Sequence, residues 1–187
     1  MARYHDGDVW PFLSDAKEFA KCLVMIQISL QKPDDDAAVE QLMASAFGDR
    51  RFERSVWVLR PGPPVPELCL TINDDGRMIG SLRFWEVMLG DQRVLLLGPL
   101  AVQPSLRGKG YGKTLVEYAL HRAADTDWDL VLVSGEVDYY PKFGFVPAAP
   151  YGLQWPGFIE PERLQLFELT EGALNKLPSA PLLVTAI

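Results

Sequence analysis

The stretch SLRGKGYGKT, residues 105–114, separates the apolar segment VLLLGPLAV (94–102) from the helix-like segment LVEYALHRAA (115–124). Its glycines and basic residues are Gly108, Gly110, Gly112, Arg107, Lys109 and Lys113. Glycines let successive backbone N–H groups converge on one anion, and the N-terminus of the following helix adds a partial positive charge. The stretch therefore predicts a phosphate-binding loop between a central strand and a helix. A glycine-rich turn with a basic rim is the simpler alternative.

Two common phosphate-binding loops do not fit this stretch. A P-loop requires GxxxxGK[ST], and the ending is present at Gly112-Lys113-Thr114, but Arg107 stands where the first glycine is required. A dinucleotide-binding loop requires GxGxxG after a strand. Here Gly108 and Gly110 are followed by lysine at position 113. The sequence therefore disfavours a nucleotide-binding module that uses magnesium.

A second motif, SGEVDYYPKFGF at residues 134–145, follows a short apolar strand. Core packing accounts for Phe143 and Phe145, and for Tyr139 as an amphipathic neighbour. It does not account for Tyr140.

Together the two motifs resemble those of the GNAT superfamily of N-acetyltransferases. Residues 107–112 match the acetyl-CoA signature [Q/R]xxGx[G/A], and residues 140–145 match the segment Y-x-x-[LF]-G-F. From about Met25 to the C-terminus, the order of elements is similar to that of the YhbS-like branch. Pro141 departs from the glycine that this branch often has, so a helical turn after Tyr140 is expected to begin with proline.

The pattern of elements predicts an α/β (α+β) fold in which a mixed, mostly antiparallel sheet is flanked by helices. A strand–glycine loop–helix–strand crossover lies at its centre. We expect a single GNAT-like domain at residues 25–187 and an N-terminal arm at residues 1–24. Within the domain, MIQISL (25–30) alternates as a strand does. LCLTI, NDDG and RMIGSLRFWEVML predict a hairpin that turns at Asp75–Gly76.

Two helices are predicted outside the crossover. The segment KPDDDAAVEQLMASAF (32–47) has its aspartates where they would cap a helix, which is a simpler interpretation than a metal site. Its predicted apolar face consists of Ala38, Leu42, Ala46 and Phe47. A short second helix is expected at TEGALNKL (170–177), after two strands in the segment from Gly152 to Leu169.

The resemblance implies acetyl-CoA as cofactor and a bulge in the strand after Pro99, which frees backbone N–H groups. The implied cofactor-binding residues are Leu100, Ala101, Val102, Arg107, Gly108, Lys109, Gly110, Tyr111, Gly112 and Lys113. It also implies that Tyr140 is the general acid. A carboxylate must accept the proton of the amine, and the candidates are Glu136, Glu86 and Asp138, of which Glu136 is preferred. Acetyl transfer would be direct, in a ternary complex without an acyl-enzyme.

The acceptor is predicted to be a primary amine of a small molecule or a peptide. Its pocket is expected around residues 47–57, 84–86 and 151–158, with Trp85, Trp155 and Phe158 as an aromatic wall. The alternative is a non-catalytic acyl-CoA sensor that has the same fold but no working base. The resemblance also allows a homodimer.

Composition excludes several other classes. The formal net charge of −7 is opposite to that of a nucleic-acid-binding surface, and it weakly favours a cationic substrate. Two cysteines and two histidines, in unrelated contexts, provide no metal site and no disulfide framework. Apolar runs are too short to cross a membrane, and the acidic N-terminus does not resemble a signal peptide. A cytoplasmic location is therefore expected.

Overall fold

The computed structural model describes residues 26–178 and 181–187. The arm predicted at residues 1–24 lies outside the described residues, as does Cys22. The described helices are α1 (Asp36–Phe47) and α2 (Tyr111–Ala124). The described strands are β1 (Ile26–Leu30), β2 (Leu70–Asp74), β3 (Arg77–Leu89), β4 (Gln92–Val102), β5 (Leu130–Ser134), β6 (Val146–Pro147), β7 (Leu153–Gln154), β8 (Leu164–Glu168) and β9 (Leu182–Ala186).

The strands form a mixed sheet in the order β1-β2-β3-β4-β5-β8-β6, and β9 pairs with the end of β3 and with β7. The pairs β4–β5 and β7–β9 are parallel, and the other pairs are antiparallel. The predicted hairpin between β2 and β3 is confirmed. Asp75 and Gly76 at its turn both have positive φ, 49° and 76°, a conformation that Asp tolerates and Gly adopts freely.

The long central strand β4 divides the core between the two faces of the sheet. Leu95 and Leu97 belong to the core on the face that α2 covers, while Val94 and Leu96 pack on the opposite face against β8 and β9. Side chains alternate along a strand, so an uninterrupted apolar run serves both layers. The buried residues of α2 form one apolar stripe at helical spacing, and they are Leu115, Val116, Ala119, Leu120 and Ala123.

The two middle strands separate at one end, which is the feature that positions the site. β4 and β5 pair from Leu95 opposite Val131 to Leu97 opposite Val133. β4 then continues to Val102, where it pairs with β3 but no longer with β5. The sheet therefore opens into a slot between its own central strands, and backbone groups of β4 beyond Leu97 face that slot.

The structure corrects the sequence interpretation in three places. In α1, Leu42 is buried and Ala46 and Phe47 pack against the same cluster as predicted, but Ala38 is exposed, and the buried Val39 and Met43 were missed. The segment TEGALNKL contains a short 3₁₀ turn at Leu174–Lys176 instead of an α-helix. Strand β9 was not predicted. Among the described residues, no helix is long and apolar enough to cross a membrane.

Candidate active site

A cavity of about 750 Å³ occupies the slot between β4 and β5. One end is formed by the glycine loop and the first turn of α2. The turns that follow α1, residues 51–60, line another part of the wall, and the segment after β5 reaches the first turn of α2 through Tyr139. The cavity therefore brings the two sequence motifs together, although about twenty residues separate them in the chain.

The glycine loop presents open backbone to this cavity. Gly108 and Gly110 have φ of 80° and 92°, and a Cβ added at either position would have no heavy atom within 4 Å. Gly110 is the N-cap of α2, so unpaired N–H groups of the first turn point out of the same place. A side chain at either glycine would project into a cradle of backbone donors. These residues fit a diphosphate, which such donors bind together with the helix dipole.

Gly112 has a different role from the two preceding glycines. A Cβ there would lie 3.1 Å from the Tyr139 hydroxyl oxygen and 3.6 Å from Val102 Cγ2. The missing side chain thus lets the first turn of α2 approach the end of β4. Tyr139, which was interpreted as core filler, lines the cavity at this junction. Burial raises its pKa to about 12.

The three basic side chains of the loop differ in their contacts and in whether they line the cavity. Arg107 lines the cavity and donates from Nη2 to the carbonyl oxygen of Ala46 at 2.8 Å, which ties the loop to the last turn of α1. Lys113 also lines the cavity and forms an ion pair with Glu117 at 3.5 Å on the helix surface. Lys109 is exposed and lies outside the lining, so the structure does not bring it to the cavity.

A bulge interrupts β4, but two residues earlier than the sequence led us to expect. Phe84 opposes Leu97 and Leu82 opposes Leu100, so Gly98 and Pro99 together oppose the single residue Arg83. Leu100, Ala101 and Val102, the predicted bulge residues, pair regularly with β3. They nevertheless line the cavity, because β5 has already diverged.

Tyr140 follows β5 and lines the same cavity as the glycine loop. Its side chain is only 7% exposed and lies flat on Gly135, where an added Cβ would be 2.0 Å from the ring. The ring makes edge contacts with Tyr139 and Phe145, with centroids 5.1 and 5.4 Å apart. Burial raises the pKa of the phenol well above its ordinary value, so the phenol keeps its proton at neutral pH. Pro141 begins a 3₁₀ turn directly after it, as expected.

Of the three carboxylates considered as bases, Glu136 alone lines the cavity. Its side chain is 75% exposed and accepts a hydrogen bond from Arg163 Nη2 at 2.8 Å. Glu86 is bonded to Arg93 on the sheet surface and does not line the cavity. Asp138 is exposed and also lies outside the lining.

The turns after α1 supply residues that the sequence interpretation missed. Arg60 lines the cavity between two tryptophan rings, with its Cζ 5.4 Å from the Trp57 centroid and 5.1 Å from the Trp85 centroid. Of the predicted acceptor segments, residues 47–57 contribute to the wall, whereas residues 84–86 and 151–158 do not. Trp85 instead packs behind Arg60. Phe158 is 88% exposed.

Two features define the class of this site. A slot between diverging central strands, with a glycine cradle at a helix N-terminus on one side, is the site of an acyltransferase that uses acyl-CoA. The sequence profile of the Acetyltransferase (GNAT) family matches residues 36–145, which is more than half of the chain. The chain therefore belongs to the GNAT acetyltransferase family.

Individual relatives agree with this assignment. The protein named Uncharacterized N-acetyltransferase YhbS from Escherichia coli (strain K12) is 28% identical over 152 residues, which cover 79% of this chain and 90% of that protein. The crystal structure of E. coli YhbS in complex with CoA superimposes with a TM-score of 0.74 at 27% identity, covering 89% of this chain and 92% of the other. A GNAT family acetyltransferase from Brucella melitensis, solved in complex with acetyl-CoA, shares the fold, with a TM-score of 0.62 at 21% identity and coverage of 84% and 94%.

Proposed function

We propose that this protein is an acetyl-CoA-dependent N-acetyltransferase that transfers acetyl directly to a primary amine in a ternary complex. The observation that carries the proposal is the single cavity that joins the glycine cradle to the buried phenol of Tyr140 along the exposed backbone of β4. Membership of the family and the CoA complexes of its relatives support the choice of cofactor.

The cofactor would supply the activated acetyl group, and its diphosphate would be held by the backbone of residues 108–112. Arg107 and Lys113 add positive charge at the same end of the cavity. Leu100, Ala101 and Val102 offer the main-chain groups along which the pantetheine arm would lie, since no strand covers them on the side of β5. Donors at fixed positions on a strand can also stabilise the oxyanion of the transition state.

Glu136 is the proposed proton acceptor for the amine. A lysine-like amine is neutral in only about one of 2,500 molecules at pH 7, which corresponds to a cost of about 4.6 kcal/mol. Because Glu136 is exposed and hydrogen-bonded to Arg163, it would act through a water molecule at the mouth of the slot. The hydrogen bond from Arg163 fixes the orientation of the carboxylate.

Tyr140 is the proposed general acid. As the new C–N bond forms and the C–S bond breaks, the phenol gives its proton to the leaving sulfur and the amine proton passes to Glu136. The products are an amide and a free thiol, and the phenol is restored from solvent. The raised pKa keeps Tyr140 protonated before the step, and the phenol donates as negative charge develops on the sulfur in hydrogen-bond contact with it. Glu136 then releases its proton to solvent.

The test is thiol release from acetyl-CoA in the presence of a broad panel of primary amines. Tyr140→Phe should lower kcat by roughly 10- to 1,000-fold while calorimetry shows an unchanged Kd for acetyl-CoA. Tyr118→Phe is the matched control, because Tyr118 packs against the same core from α2 and lies outside the cavity lining. Equal kcat for wild type and Tyr140→Phe would refute the assignment of the acid.

The second candidate is a non-catalytic acyl-CoA sensor. It is favoured by the ion pair that already engages Glu136, the one acidic residue among those that line the cavity. This function predicts calorimetric binding of acetyl-CoA without thiol release on any amine of the panel. Turnover of a single amine that depends on Tyr140 would exclude it.

A further inference from the structure

The charge of the cavity is opposite to that of the chain. The whole sequence has a formal charge of −7, yet seven of the residues that line the cavity are basic and one is acidic. Arg107 and Lys113 stand at the glycine loop, where an anionic cofactor explains them. The other five are Arg51, Arg54 and Arg60 on the turns after α1, Lys142 after β5, and Arg163 directly before β8, and none of them belongs to the glycine loop.

Two of the four arginines in this group have carboxylate partners. Arg163 pairs with Glu136 at 2.8 Å. Arg51 lies 3.7 Å from Glu40 and 3.8 Å from Asp49. In these pairs a carboxylate of the chain balances the charge of the arginine, so neither arginine requires an anion from a ligand.

Arg54 and Arg60 have no carboxylate partner within residues 26–178 and 181–187. Arg54 is exposed, with its Cζ 5.8 Å from the Phe47 ring centroid, and Arg60 is the less exposed of the two. No carboxylate of this part of the chain is in ion-pair distance of the Arg60 guanidinium, and its buried Nε has no hydrogen-bond partner. Burial lowers its pKa to about 9, so the group is still charged at pH 7. Tyr140 is its neighbour, but that phenol is neutral at the same pH and offers no counter-charge. A buried charge without a partner is costly.

The guanidinium is also held in a fixed orientation. The two tryptophan faces lie on it, and Trp85 is itself anchored by donating from Nε1 to the carbonyl oxygen of Gly62 at 2.9 Å. Arg60 Nη2 lies 3.4 Å from where a Cβ of Gly98 would be, so the group packs directly on the bulge of β4. Leu59 anchors the segment in the core with 1% exposure. Such a preorganised planar fork matches a carboxylate.

We propose that Arg60 binds a carboxylate of the acceptor, so that the substrate is a primary amine that also carries a carboxylate group. This inference rests on the proposed function, since it names the substrate class of the same site. Phe47, Val56 and Trp57 line the same end of the cavity, and they would contact an apolar part of the substrate. The acidic composition of the chain pointed weakly to a cationic substrate, and the local charge of the cavity outweighs it.

The experiment compares amines that differ only in the carboxylate group. The first series is phenylalanine, its methyl ester and phenethylamine, and the second is methionine and its methyl ester. Phosphoethanolamine is the phosphate-bearing probe. Wild type should prefer the free acids over their esters in kcat/KM by at least about 10-fold. Arg60→Gln should abolish that preference, Arg60→Lys should retain part of it, and the preference should survive in Arg50→Gln. Arg50 is exposed and lies outside the cavity.

A binding measurement separates this inference from the proposed function. Phenylacetate should bind the wild-type protein in the presence of CoA, and Arg60→Gln should weaken its Kd on the order of 10- to 100-fold with an unchanged Kd for CoA. The unchanged CoA affinity shows that the variant is folded. Amine acetylation with equal kcat/KM for acids and esters, or a preference for phosphoethanolamine alone, would overturn the inference and leave the function standing. Arg60-dependent phenylacetate binding without acetylation of any amine would refute the proposed function and leave the carboxylate site at Arg60 standing.

Discussion

Replacing Gly135 by alanine tests the position of Tyr140 without touching its hydroxyl group. The added Cβ would lie 2.0, 2.5 and 3.0 Å from three atoms of the Tyr140 ring. Carbon atoms in contact are normally about 3.5 to 4.0 Å apart, so the ring must move by about 1.5 Å or more. Gly135 does not have positive φ, so alanine introduces no backbone strain and the steric effect is isolated.

A displacement of this size at a catalytic group costs about 100-fold in rate. We therefore expect Gly135→Ala to lower kcat by roughly 10- to 1,000-fold, in the range of Tyr140→Phe, with an unchanged Kd for acetyl-CoA. Overpacking should also cost about 1 to 3 kcal/mol, which lowers the Tm by about 2 to 12 °C. Steady-state kinetics, calorimetry and a thermal melt measure these effects separately.

The double variant Gly135→Ala/Tyr140→Phe decides the interpretation. If both changes remove the same proton donor, the kcat of the double variant should lie within about threefold of the lower single variant. Gly62→Ala is the control, since its added Cβ would have nothing within 4 Å and its φ is not positive. Multiplicative losses in the double variant, or a kcat for Gly135→Ala within twofold of wild type, would refute the reasoning.

Three further predictions concern the cradle, the phenol and the cysteine of the core. Gly110→Asp should abolish calorimetric binding of acetyl-CoA, because it puts a charged side chain into the cradle. Gly76→Asp is the control, since it introduces the same positive-φ strain away from the cavity, and this variant should bind acetyl-CoA normally. The ratio of kcat between wild type and Tyr140→Phe should be constant from about pH 7 to 10, since burial raises the pKa of the phenol and it stays protonated throughout; a ratio that falls toward one within that range would contradict this. Burial raises the pKa of Cys69 to about 11, so peptide mass spectrometry should find this thiol unmodified by iodoacetamide at pH 8 in the native protein and modified after unfolding.

Local chemistry made much of the fold predictable. The Asp75–Gly76 turn, the apolar stripe of α2 and the glycine loop at its N-terminus each depend on residues within one or two turns of each other, so their patterns can be recognised from sequence. The face of α1 was misjudged because several alanines share its surface. Burial there is decided by the larger Val39 and Met43, which pack beside Ala101 of β4.

The features that sequence reasoning missed depend on distant pairing. Strand β9 is only five residues long and pairs with the end of β3, nearly a hundred residues earlier. The importance of Arg60 arises from its packing on Gly98 and Trp85, which no local periodicity reveals. The bulge at Gly98–Pro99 is likewise a matter of how β4 aligns with β3. A short sequence signal was present, since Arg60 closes the aromatic and apolar run VWVLR.

Because β4 separates from β5, the slot has two halves that would bind their ligands with different kinds of chemical groups. The half of the slot that would receive the cofactor is built from main-chain groups and glycines, whose positions the sheet and α2 dictate. The half that would receive the acceptor draws on side chains of the turns between α1 and β2, together with the segments after β5 and before β8. Exchanging those turns would therefore alter which molecule is modified while the donor half of the site stayed intact, and substrate range in this chain can evolve independently of the architecture that delivers the acetyl group.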